Sequence, residues 1–124
     1  MVHYVLIYSG ALLPFLWGVS HLFPTGGVVK GFGEISLDNK RIITMEWIIE
    51  GAAFIFIGAV VASVTCIDYT HTISRTIYWI TFVMLNTLSV ISLLTGFKIN
   101  FLPFKLCPVI FTSSSILILL GSYV

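Results

Sequence analysis

The stretch Thr44–Gly51 reads TMEWIIEG, and its two carboxylates, Glu46 and Glu50, stand four residues apart at the start of one of the most apolar runs in the chain. At that spacing both side chains leave a helix on one face. An ionised carboxylate at the centre of a spanning helix costs on the order of 3 kcal/mol on insertion scales, so such a pair predicts a compensating proton, cation or ligand. No Lys or Arg falls at the level of Glu50, which makes it the residue expected to bind or move something. His21, in the preceding apolar run, is expected near the same membrane face as Glu46, with Trp17 one turn before it. Asn86, in a third run, is expected close to the midplane. Together Glu50, Glu46, His21, Asn86 and Trp17 predict a polar, aromatic-walled pocket that binds a ligand.

Other residues with chemical potential read more plainly. Thr112, Ser113, Ser114 and Ser115 form a run that suits interhelical hydrogen bonding, and no triad spacing accompanies it, so no catalytic residue is assigned. Two carboxylates and one imidazole lack a Glu-x-x-His pair or a second histidine at the same depth, and no metal site is expected. No cofactor is assigned. Cys66 and Cys107 belong to no CxxC motif and fall toward opposite ends of their helices. They are expected to be unpaired, buried small side chains. His3 and His71 are expected to meet water.

The elements that must position these residues follow from composition. Of the 124 residues 58% are hydrophobic and only 9% charged, and the mean hydropathy is +1.08. A chain of this kind belongs in a membrane. Charged residues divide it into four apolar runs, at 4–23, 42–67, 76–97 and 104–123, each near the roughly 20 residues that span a hydrocarbon core about 30 Å thick. None alternates as a barrel strand would. The expected architecture is an all-α, antiparallel bundle of four transmembrane helices, forming a single domain. A long first connection, 24–41, is expected as an interfacial loop with Ser36 or Asp38 capping the second spanning helix. The short second and third connections predict that the last three spanning helices pack as sequential antiparallel neighbours. Gly51, Gly58 and Ala62 mark a small-residue face on the second spanning helix, suited to close helix approach.

Lys30, Lys40, Arg41, Lys98 and Lys105 share one side and Arg75 stands alone on the other. The excess of positive charge predicts that side to be cytoplasmic, with both termini outside. GFGEISLDNKR followed by MEWIIEG resembles, in hydropathy pattern, small bacterial proteins of the DoxX-like four-helix type. That resemblance implies a four-helix bundle in a bacterial inner membrane and carries no residue's role with it. Small multidrug transporters also embed a glutamate, but in their first helix, whereas here both lie in the second.

Three functions fit these residues. The first is binding or transport of a proton-coupled, cationic or lipid-like small ligand. The second is a membrane enzyme acting on a lipid, quinone or sterol-like substrate. The third is an accessory subunit of a larger membrane complex. The expected partners are the bilayer, a small or lipid-like ligand, and a second copy or larger complex. No cationic cluster is dense enough to suggest nucleic acid.

Overall fold

The computed structural model describes all 124 residues. Its elements, in chain order, are α1 (Val2–Leu22), α2 (Thr25–Gly31), α3 (Leu37–Asp68), α4 (Thr72–Leu94), a 3₁₀ turn at Gly96–Lys98, and α5 (Leu102–Tyr123). α1, α3, α4 and α5 are each long and apolar enough to cross a membrane. Their outward faces carry large apolar side chains such as Leu12, Phe56, Ile80 and Leu120, as expected where lipid is the solvent.

The first connection differs from the expected loop. Thr25–Gly31 forms the short helix α2, and Leu37–Arg41 belongs to α3. Ser36 is the cap: its side chain accepts from the Asn39 N–H at 3.2 Å, satisfying one of the donors a helix start leaves open. α3 therefore runs for 32 residues, about 48 Å at 1.5 Å per residue, well over the hydrocarbon thickness. Its charged first turns, with Asp38, Lys40 and Arg41, extend beyond the apolar portion. Gly33, at φ 73°, turns the chain between α2 and α3.

α1 packs along both α3 and α5, and α5 also packs along α4. The order around the bundle is therefore α3, α1, α5, α4. The expected neighbour relation holds for α4 and α5. For α3 and α4 it holds mainly beside their short connection, where Thr65 and Tyr78 share a hydrogen bond of 2.9 Å and Ser74 donates to the Val64 carbonyl. Further along, Glu50 and Phe54 of α3 face Leu88 and Ile91 of α4 across a cavity.

Glycines explain why α1 occupies the middle. A Cβ on Gly18 would lie 2.5 Å from the Gly51 carbonyl oxygen, and one on Gly58 would lie 2.5 Å from that of Ala11. The small-residue face read from Gly51 and Gly58 is thus the α1–α3 seam. On the other side, buried Ser114 donates to the Gly10 carbonyl at 2.6 Å. Lipid tails give helices little hydrophobic reason to associate, so close packing and hydrogen bonds of this sort hold the bundle together.

Candidate functional site

α1 ends at Leu22, next to Pro24, and His21 lies in its last turn, only 7% exposed. A helix end leaves carbonyls without intrahelical partners. Trp47 of α3 supplies one: its indole N–H donates to the His21 carbonyl at 2.6 Å. The same indole stacks on the His21 imidazole, with centroids 4.3 Å apart and planes inclined at 19°. Phe54 meets the imidazole edge-on at 5.5 Å, and Trp17, one turn earlier on α1, does so at 6.1 Å. The imidazole is therefore held by three aromatic rings. Its Nε2 lies 3.6 Å from a Glu50 carboxylate oxygen. That separation is too long for a good hydrogen bond but close enough for an ion pair when the imidazole carries a proton.

Of the five expected site residues, His21, Glu50 and Trp17 come together, whereas Glu46 and Asn86 do not join them. The buried line on α3 runs through Gly51, Phe54, Gly58, Val61 and Thr65. At 100° per residue, Glu50 sits about 60° from the Trp47–Thr65 line and Glu46 about 100° from it. Glu50 consequently reaches the edge of the bundle interior with its side chain half exposed, and Glu46 faces outward. The carboxylates share a helical face, but that face is not the one turned inward. Asn86 instead fastens α4 to α5, donating to Ser115 Oγ at 3.0 Å and to the Phe82 carbonyl at 2.8 Å. Beside it, Ser89 bonds both Thr112 and the Pro108 carbonyl. The polar run of α5 is thus largely spent on helix fastening, as its spacing suggested.

Three cavities adjoin the His21 cluster. One of about 250 Å³ lies between Trp17, His21, Trp47, Phe104 and Cys107. A second, of about 200 Å³, takes in His21, Glu50, Phe54, Phe104 and Cys107 and opens between α3 and α4. A third, of about 570 Å³, lies against α2 and the connection before α5, sharing Pro24, Val28, Phe101 and Phe104 with the first. Apolar side chains dominate the lining of the first and third. The unspent polarity is concentrated around His21. The Trp17 indole N–H is buried with no hydrogen-bond partner; the Cys107 thiol beside it is a weak acceptor at best.

Several contributors were missed at the level of sequence. Trp47 was not singled out from the sequence, yet it precedes Glu50 by three residues and Phe54 by seven, a helical stripe that pointed to one shared face. Phe104 and Cys107 come from the start of α5, and only the fold brings them to His21. Cys107 is buried and unpaired as expected; Cys66 is unpaired but exposed, because it lies on the outer side of α3 near its end. His71 does more than meet water: its Nδ1 accepts from the Ile73 N–H at 3.2 Å and caps α4.

No group of His, Cys, Asp and Glu side chains is clustered tightly enough to hold a metal ion. What the arrangement can do is present an imidazole, a carboxylate and a free indole donor to a molecule in an apolar cavity. Comparison with protein-family models, with curated proteins and with solved structures finds no match to this chain.

Proposed function

We propose that this integral membrane protein binds a small, lipid-like molecule whose polar group meets His21, Glu50 and Trp17. The observation that carries the reading is the buried imidazole: three aromatic rings hold it in place, a carboxylate lies 3.6 Å away, and it borders apolar space beside an unpartnered indole N–H. Buried polar groups without partners are costly, and a cavity at that point gives a ligand the means to satisfy them. The positive charge excess at the α2 end supports a cytoplasmic position for the cavities and an outer position for both termini.

A second reading, acid–base chemistry on a lipid, quinone or sterol-like substrate, draws on the same pair. A carboxylate next to an imidazole can orient it and stabilise its protonated form, as a general acid–base requires.

Native mass spectrometry from mild detergent tests the binding reading. The wild-type protein is expected to retain a lipid-sized adduct, and Glu50→Gln to retain it about ten-fold less, equivalent to roughly 1.4 kcal/mol of binding free energy. Glu46→Gln, on the outward side of α3, is expected to behave as wild type. Equal retention by the Glu50→Gln and wild-type proteins would remove Glu50 from the site, and a wild-type protein that carries no adduct would argue against a bound lipid altogether. A chemically altered adduct after incubation would favour the enzyme reading.

A further inference from the structure

We infer that α2 and the connection before α5 seat the apolar chain of the ligand, and that the ligand is an uncharged, slender-chained amphiphile with an oxygen-bearing head at Trp17 and His21. The inference rests on the ligand-binding reading of the His21 site and specifies what that site takes.

The first observation concerns glycine. α2 has the sequence TGGVVKG, three glycines in seven residues, although glycine is the poorest helix former after proline. In α1 and α3 glycine is found where backbones touch. In α2 that reason is missing, because a Cβ on Gly26, Gly27 or Gly31 would meet nothing within 4 Å. Gly27 and Gly31, one turn apart, instead border the cavity of about 570 Å³, opposite Ile99, Phe101 and Phe104. Their missing side chains leave a trough of bare backbone along an apolar wall, a shape that suits a chain of methylenes. The volume falls in the range of about 300–1,000 Å³ usual for small-molecule sites.

The second observation concerns what lies at the trough's inner end. The trough shares Pro24, Val28, Phe101 and Phe104 with the His21 cavity. There His21 is more than nine-tenths buried and has its nearest charged partner, Glu50, at 3.6 Å, while the Trp17 N–H has no partner. A carbonyl or hydroxyl oxygen would accept from that indole. An anionic head is disfavoured by Glu50 and by the lack of any Lys or Arg in the cavity lining.

The test uses the full chain in phosphatidylcholine nanodiscs and, as probe, a palmitoyl monoacylglycerol carrying a mid-chain diazirine. Photolabelling of the wild type is expected to saturate, to fall in segments 24–32 and 99–104, and to be competed by unlabelled monoolein. Gly27→Leu and Gly31→Leu, which fill the trough, should each reduce it about ten-fold. In delipidated, detergent-solubilised protein Gly27→Ala should raise Tm, because helix propensity improves and no protein atom lies within 4 Å of the added Cβ. Unchanged labelling in both Leu variants, labelling spread unsaturably over the outer faces of the helices, or a lower Tm for Gly27→Ala would each overturn the seat. Glu50→Gln separates the two levels of the argument. Loss in the Leu variants with full labelling of Glu50→Gln upholds the seat and overturns the assignment of Glu50 to the head site. The reverse pattern overturns the seat and leaves that assignment standing.

Discussion

The indole of Trp47 acts on His21 twice, through a hydrogen bond to its carbonyl at 2.6 Å and a stack on its ring at 4.3 Å. The first contact belongs to folding, since it satisfies an acceptor at the end of α1; the second belongs to the site, since it fixes where the imidazole points. Replacing Trp47 with Phe separates them. A ring remains to stack, but the His21 carbonyl loses its donor, at a cost of about 1 kcal/mol in stability. The expected result is a lower unfolding midpoint in detergent with the proposed lipid adduct largely retained, whereas Trp47→Ala loses stability and adduct together. A Trp47→Phe protein as stable as wild type would show that water or another group serves the carbonyl equally well. Glu46 and Glu50 give the opposite lesson. They share a residue type and a helical face, but 40° around α3 separates a side chain at the cavity from one outside the bundle.

Among the elements, α1 is the one that joins α3 to α5, and its glycines and those of α3 let two backbones approach within side-chain distance. Gly58 is the sharpest case. A Cβ there would sit 2.5 Å from a backbone oxygen and 2.8 Å from the Phe15 Cβ, neither of which can rotate away. Gly58→Leu is therefore expected to part α1 from α3, at a cost at or above the upper end of the 1–3 kcal/mol usual for overpacking, roughly. Thermal unfolding in detergent would report it, with loss of the proposed lipid adduct following because Trp47 and Phe54 approach His21 across the same seam. α2 is the contrasting element. Its glycines touch nothing, so there a side chain is expected to help the helix and harm only what lies in the trough.

At the scale of the whole molecule, the bundle has two unlike ends. One holds both termini, where Gly121 approaches the His3 carbonyl and His3 stacks on Tyr69 at 4.3 Å. The other holds α2, the 3₁₀ turn and the cavities. Cys66 is exposed near the first end and Cys107 is buried at the second. If the termini lie outside, as proposed, a membrane-impermeant maleimide applied to intact cells is expected to label Cys66, read as labelling lost in Cys66→Ser, while Cys107 stays unlabelled. Labelling of Cys66 only after the membrane is opened would invert the orientation. The four spans and the small-residue seam were legible in the residues alone, because lipid demands long apolar helices and close helix approach demands small side chains. Periodicity also showed that Glu46 and Glu50 share a face. It could not show which face turns inward, since the outward side of a membrane helix is as apolar as the inward one and no polar stripe marks it. That choice, like the order α3, α1, α5, α4, the diversion of Asn86 to Ser115, and the meeting of His21 with Trp47, Phe104 and Cys107, was made by tertiary packing: backbones close wherever glycine permits, and the side chains left around the gaps define the site.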